Sequence, residues 1–435
     1  MYTITPVTNV KKEIEVCPDK SISHRAVITA SIATGKTLIE PFLLSDDTLT
    51  TLECIRSCGI GAVLKGKSLT IEGAGKYLPV TGELNLFAKE SGTTMRILSG
   101  VLSGQEGASF KFSASPSLLK RPMGRITTPL RMMGADIEGN FLNNEEYPPL
   151  RIKPAKALKS INYKMPVASA QVKSAIIYAS LYAKGVTRII EPFVCRDHTE
   201  RIVRLFGGKL QREGKTIVSR AEELCSPGKL FIPADFSSAA FFVVLGLILK
   251  RSRMLVKNVN INPTRCGLLA VLKRMGAQVK IVNKKNYYEP YADILVKSSQ
   301  LKATQVKETE VPLMIDEIPL LAVAASFAKG KTRIWAVGEL KVKETNRIDS
   351  MVYNLKRGGV KIEAKEYTKN KKKNWMVEIE GRDKLKPADF KSFSDHRTAM
   401  SMVVLGKALD NSSTVDDIKC INKSFPEFIS LIDAL

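Results

Sequence analysis

The sequence is poor in acids, in aromatic rings and in the side chains that hold metals. Its 435 residues carry 43 Asp and Glu against 67 Lys and Arg, a formal net charge of +24 at pH 7. A field of that sign gathers anions without choosing among nucleic acid, anionic lipid and small phosphorylated acids. Aromatic residues make up only 7%, few for a surface that would stack single-stranded bases. Seven cysteines (Cys17, Cys54, Cys58, Cys195, Cys225, Cys266, Cys420) are scattered, and their odd number argues against a complete disulfide framework. Only Cys54 and Cys58 lie close together, with no His or second Cys pair beside them. They read as small buried side chains and not as a zinc site. Met1 to Glu15 has no apolar core of the kind a signal peptide needs. The longest apolar stretch, Phe236 to Leu249, is too short to cross a bilayer. A hydrophobic content of 44% and a charged content of 25% are those of a folded chain. The length favours two domains, and a reduced, cytoplasmic compartment is the expectation.

What the chain does have is repetition, which decides the fold class before any single motif does. A polar opening, an apolar helical stretch, a Gly and then a β-branched strand recur six times, with openings at residues 20, 91, 169, 237, 316 and 394. Copies one, three and five share the ending Ala-x-Gly-x-Thr-x-Ile/Leu, as in Ala183-Lys-Gly-Val-Thr-Arg-Ile189. A second helix type alternates with the first and ends in Gly-Gly or Gly-Ala, as in Leu130-Arg-Met-Met-Gly-Ala, where Gly suits the left-handed residue that closes a helix. The sixth such helix, from Phe425, ends the sequence, whereas Met1 to Val16 has strand character and no helix before it. The N-terminal strand is therefore expected to complete the last repeat. The reading is an α/β (α+β) protein with one domain made of residues 1–19 and 236–435 and another of residues 20–235. A solenoid is the competing architecture, less suited to repeats of about 70 to 80 residues that each hold two helices and several strands.

The first helix type is apolar along its length, as in Val172 to Ala183 and Phe241 to Leu249, and such a helix is buried all round. Its polar start is another matter. Helix N-termini offer unpaired N–H groups and the positive end of a dipole, which suits phosphate and carboxylate. Ser and Asp there serve as caps, and capping is the expected role of Ser237 and Ser238. Capping does not account for Lys20, Arg25, Arg96 and Arg397, cations placed where a helix favours acids. A bound anion does account for them. Two acidic residues also stand out: Asp316 opens an apolar stretch, and Glu344 lies between Lys343 and Arg347. Carboxylates in a phosphate-binding cleft oppose the substrate unless they move protons. For Glu344 a plain ion pair with an Arg at a helix start weighs equally.

These residues resemble the 5-enolpyruvylshikimate 3-phosphate synthase family in seven ordered motifs. They are Lys20-Ser-x-Ser-His-Arg25, Ser-Gly-Thr-x-x-Arg96, Arg121-Pro, Ser169-x-Gln171, Val-Lys-Glu-Thr-x-Arg347, Asp-His-Arg397 and Lys423-x-Phe-Pro, spanning nearly the whole chain. The resemblance implies two lobes, each of three repeated βαβαββ units with buried parallel helices in an inverse α/β barrel-like arrangement, closing over the substrates. It implies transfer of the enolpyruvyl group of phosphoenolpyruvate to the 5-hydroxyl of shikimate 3-phosphate by addition and elimination. It further implies that Lys20, Arg121, Arg347, Arg397 and Lys423 hold phosphoenolpyruvate, helped by the backbone at Gly92 and by Gln171. Lys20, Ser21, Arg25, Ser169, Gln171, Arg196, Asp316 and Lys343 would hold shikimate 3-phosphate. Glu344 would be the acid, and Asp316 or Lys20 the base. No metal or organic cofactor is implied, nor a nucleic-acid or membrane partner, and a monomer is expected.

The match has departures. Glu90 stands where the family has Asn, and Ala170 where it has a second Ser, a lost hydroxyl for which Arg196 could compensate. Both resemble the glyphosate-tolerant branch of the family, whereas Gly92 is typical of sensitive members. The sister family that uses UDP-N-acetylglucosamine carries a Cys in a loop that here, Ser109 to Arg125, has none, and Lys-Asn where Lys20-Ser21 stands. A nucleic-acid binder would have to use the basic run Lys369 to Lys373, which reads as an exposed hairpin tip.

Overall fold

Six helices start within two residues of the places the repeats assign: Lys20–Ser31, Gly92–Leu102, Ala170–Ser180, Phe236–Ile248, Ile318–Ser326 and His396–Lys407. The computed structural model describes residues 1–154, 157–369 and 372–435. Every residue of Ile318–Ser326 and all but the last of Phe236–Ile248 are buried, as helices apolar on every side must be. A second, amphipathic helix follows each: Asp46–Ser57, Gly124–Met132, His198–Leu205, Gly267–Arg274, Arg347–Arg357 and Phe428–Asp433. Past five of these ends stand Gly59, Gly134, Gly207, Gly276 and Gly359, all with φ between 78° and 92°. A Cβ would be strained there, so the Gly-Gly and Gly-Ala endings mark where each outer helix must stop.

The sheets repeat as well, and all are open, mixed sheets. In the second repeat Gly82–Phe87 pairs parallel with Ala108–Ser113, which pairs antiparallel with Glu145–Lys153, and Asp136–Leu142 forms the far edge. The same order recurs around Val186–Ile190 and Lys331–Ile334. The first and fourth repeats take their parallel strand from elsewhere. Ala33–Glu40 receives Lys229–Phe231, the strand leading into the fourth inner helix. Arg253–Asn260 receives Lys11–Ile14, the strand leading into the first. Tyr2–Ile4 pairs antiparallel with Ser413–Val415, the place held in other repeats by a strand that follows the outer helix.

The chain forms two units, Met1–Cys17 with Pro233–Leu435, and Pro18–Ile232. Among the described residues each holds three inner helices and three sheets. The divisions fall a few residues before the joints read from sequence, so Asp19 and Asp235 stay with the helices they cap. No helix among the described residues is long and apolar enough to cross a membrane. In the basic run, Lys369 pairs with Glu308 at 3.2 Å and Lys373 with Glu366 at 3.3 Å. Strands Lys361–Lys369 and Lys372–Glu380 form a hairpin, and the expected tip at Asn370 and Lys371 lies outside the described residues.

Within the Pro18–Ile232 unit the second and third inner helices touch through Gly100. A Cβ there would stand 2.2 Å from the carbonyl oxygen of Ala175, so Gly is required by the approach of two backbones. Gly100→Ala should destabilise the protein by roughly 1–3 kcal/mol, read from denaturant unfolding. An unchanged midpoint would mean the helices separate at no cost.

Candidate active site

In the Pro18–Ile232 unit each inner helix is capped by the residue before it. Asp19 accepts from the Ile22 N–H at 2.9 Å, Ser91 from Thr94 at 3.2 Å and Ser169 from Val172 at 3.4 Å. The positions after the caps are thereby left for other work. Lys20 forms an ion pair with Asp47, on the helix that follows. Ser21 gives its carbonyl to Arg25 Nη1 at 2.8 Å. Arg25 is buried, and its other bonds go to hydroxyls: Nε to Thr199 Oγ1 at 2.7 Å and Nη2 to Ser174 Oγ at 2.9 Å. Burial pushes its pKa down, and nearby Arg196 adds to that, against the opposing pull of Tyr178, Glu200 and Asp19. A buried guanidinium that feels a second cation and donates to hydroxyls and a carbonyl is well placed to receive an anion.

Two more guanidinium groups converge over Gly92. A Cβ there would lie 2.9 Å from Arg96 Nη1 and 3.1 Å from Arg121 Nη1. Arg96 Nη1 donates to Gln171 Oε1 at 3.1 Å, and Gln171 Nε2 donates to Thr93 Oγ1, also at 3.1 Å. Those bonds fix which end of the Gln171 amide faces which partner. Glu90, one of the departures, lies half-buried just before the Ser91 cap, and Ala170 opens the third helix. Sequence reasoning missed a relay beneath these groups. His24 Nδ1 and Thr51 Oγ1 are 2.6 Å apart, Thr51 and Thr94 hydroxyls 2.6 Å, and Thr94 donates to Ser91 Oγ at 2.7 Å. The relay ties the first helix start to the second.

In the other unit Arg347 is met by three carboxylates. Arg347, buried at the start of Arg347–Arg357, donates Nε to Asp395 Oδ2 at 2.8 Å, Nη1 to Asp316 Oδ1 at 3.3 Å and Nη2 to Glu344 Oε2 at 2.6 Å. Burial works against its charge, but Asp395, Glu344 and Asp316 outweigh it and raise the pKa above its ordinary value. Lys343 Nζ reaches the same Asp316 oxygen at 3.4 Å. The ion pair weighed for Glu344 is therefore present, and it joins both acidic candidates to one guanidinium. Asp395 also caps the sixth inner helix, accepting from the Arg397 N–H at 2.7 Å. Arg397 itself is buried, its guanidinium carbon 6.0 Å from the Phe241 ring centre. Lys423 ends the turn Lys419–Lys423.

One expectation needs correcting. The fourth inner helix is capped by Asp235, which accepts from the Ser237 N–H at 2.6 Å and Ser238 at 3.4 Å, and not by Ser237 or Ser238. The Ser237 hydroxyl is taken by Glu317 and Arg265, a buried pair 2.9 Å apart. Arg265 was not singled out from sequence. It resembles Arg347: a cation at or just before the start of one outer helix meets the acid that precedes the next inner helix.

The family model described as EPSP synthase (3-phosphoshikimate 1-carboxyvinyltransferase) matches residues 4–432. The 3-phosphoshikimate 1-carboxyvinyltransferase of Petrotoga mobilis is 46% identical, covering 99% of this chain and 98% of its own. That of Thermoanaerobacter sp. is 43% identical, covering 98% and 97%. Among solved structures, EPSP synthase from Acinetobacter baumannii superposes with a TM-score of 0.86 at 37% identity, covering 100% of this chain and 97% of the other. The enolpyruvyl transferase NikO from Streptomyces tendae gives 0.76 at 14% identity, covering 100% and 96%, a likeness of fold alone.

His24 offers a test of the relay. Burial, then Lys20 and Arg25, hold its pKa well below the ordinary value, so the unfolded chain takes up a proton that the folded chain refuses. As pH falls below about 6.5, the wild type should lose stability faster than His24→Asn, by up to ~1.4 kcal/mol per pH unit. Parallel stability–pH curves for the two proteins would sink the assignment of His24 as a neutral member of the relay.

Proposed function

The chain belongs to the EPSP synthase (3-phosphoshikimate 1-carboxyvinyltransferase) family, and from that premise we propose how its side chains divide the reaction. It is a transferase of the shikimate pathway that moves the enolpyruvyl group of phosphoenolpyruvate to the 5-hydroxyl of shikimate 3-phosphate and releases phosphate. In our reading Ser21, Arg25, Ser169, Gln171 and Arg196 receive shikimate 3-phosphate, together with Lys20, Lys343 and Asp316. Lys20, Arg121, Arg347, Arg397 and Lys423 receive phosphoenolpyruvate, with the Gly92 backbone and Gln171. Clustered cations of this kind supply preorganised electrostatic stabilisation to charge that moves during the reaction.

The observation that carries the assignment of roles is the joining of Asp316 and Glu344 through buried Arg347. The 5-hydroxyl oxygen adds to C2 of phosphoenolpyruvate, its proton passing to Asp316 or Lys20, while C3 takes a proton from Glu344. The C2–O bond to phosphate then breaks, phosphate leaves with the electron pair and takes up the proton held by Asp316 or Lys20, and C3 returns a proton to Glu344 as the double bond reforms. A substrate carboxylate on Arg347 competes with Glu344 for the guanidinium, and a Glu344 so released can hold the proton it must deliver. We also read the basic excess as serving these anionic substrates and not nucleic acid, and place the protein in the cytoplasm as a monomer.

Phosphate release assayed with shikimate 3-phosphate and with UDP-N-acetylglucosamine separates the two acceptors, and only the first should support turnover. Glu344→Gln and Asp316→Asn should fold as the wild type does yet lose turnover by about 10²–10⁴-fold, the range of general acid–base groups. Solvent deuterium exchange into the phosphoenolpyruvate methylene reports protonation of C3 directly. Exchange at the wild-type rate in Glu344→Gln would remove Glu344 from the acid role.

A further inference from the structure

Behind Arg25 lies a charged cluster that the proposed chemistry does not use. Lys173, the fourth residue of helix Ala170–Ser180, has a fully buried side chain. Its Nζ lies 3.0 Å from Glu191 Oε1 and 2.7 Å from Glu200 Oε1, and donates to the Cys195 carbonyl at 3.2 Å. Arg212 meets Glu191 Oε2 at 2.6 Å and Glu200 Oε1 at 3.7 Å. The Cys195 thiol donates to Glu191 Oε1 at 2.8 Å, and burial pushes its pKa up to about 12, so it stays a donor. Two cations thus face two carboxylates in the interior. Burial opposes the charge on Lys173, but Glu200, Cys195 and Glu191 outweigh it.

Stability alone gives weak grounds for such a cluster, since well-packed apolar residues often stabilise as well. Its geometry suggests a different use. All three partners of Lys173 lie on residues 191–200, between strand Val186–Ile190 and the first turn of helix His198–Leu205. That segment carries Arg196 and Thr199. The neighbour of Lys173, Ser174, has its hydroxyl 2.6 Å from that of Thr199, and both accept from Arg25. One helical turn therefore ties down the 191–200 segment with Lys173 and holds Arg25 with Ser174. On the transferase reading above, we infer that Lys173 is a positioning residue for the phosphate of shikimate 3-phosphate, stapling this segment so that Arg196 and Thr199 face Arg25.

The test needs a variant that folds. Lys173→Met alone strands a buried carboxylate, so it is paired with Glu200→Gln, which leaves Arg212 on Glu191. The double variant should unfold at close to the wild-type temperature. Its KM for shikimate 3-phosphate should rise at least tenfold, within the ~10–100-fold that supporting residues of a site contribute. Its kcat and its KM for phosphoenolpyruvate should stay within about threefold, because only acceptor binding has been touched. Arg196→Ala should weaken acceptor binding in the wild type but add little in the double variant, since the two changes act through one group. Calorimetric titration of all four proteins with shikimate 3-phosphate completes the cycle. An unchanged KM in a folded double variant, or strictly additive losses, would overturn the inference. If the wild type instead releases no phosphate from phosphoenolpyruvate, the transferase reading fails, and the same cycle titrated with inorganic phosphate still decides the role of Lys173.

Discussion

An α-helix that is apolar on every side can be covered along its whole length, but its ends still present unpaired backbone groups. The six inner helices impose this constraint on the entire protein. Sheets and amphipathic helices are needed to cover their flanks, which is why strands and outer helices recur in the same order in each repeat. What remains uncovered by that scheme is the set of N-termini, where Asp19, Ser91, Ser169, Asp235 and Asp395 take the cap bonds. The N–H groups beyond the caps and the positive dipole ends then become the natural place for anions. On the reading proposed above, the anion-binding positions follow from the way the core is built.

Arg25 and Arg347 are neutralised differently. Arg25 is held by Thr199, Ser174 and a backbone carbonyl, so an arriving anion displaces no carboxylate bonded to it. Arg347 is held by Asp395, Asp316 and Glu344, so an anion reaching it must contend with acids of the protein itself. On the reading proposed above, the first arrangement favours binding, while the second couples binding to the groups that carry protons.

Much of this was legible in the sequence because repetition multiplies weak signals. A single Gly after a helical stretch says little, but five of them with left-handed backbones define where five outer helices stop. The cations at helix starts were legible for the same reason, standing against the dipole where capping cannot explain them. Partners distant in the chain were not legible. Asp47 beside Lys20, the His24–Thr51–Thr94 relay and the Arg265–Glu317 pair depend on packing within and between repeats, and no local pattern announces them. The misreading of Ser237 has a similar cause. Two adjacent serines offered themselves as caps, and only the position of Arg265 and Glu317 shows that the Ser237 hydroxyl is committed elsewhere.

The exchanged strands bear on the order in which the protein can be made. Lys11–Ile14 finds its sheet partner in Arg253–Asn260, and Tyr2–Ile4 finds its own in Ser413–Val415. A chain emerging from the ribosome N-terminus first therefore produces these strands early and can use them only late. The Pro18–Ile232 unit has all its strands once residue 231 is out, and can close while the leading segment still waits. Pairing across some four hundred residues carries a loop-closure cost that slows the last step. The protein is thus built to finish one half during synthesis and to complete the other only at the end.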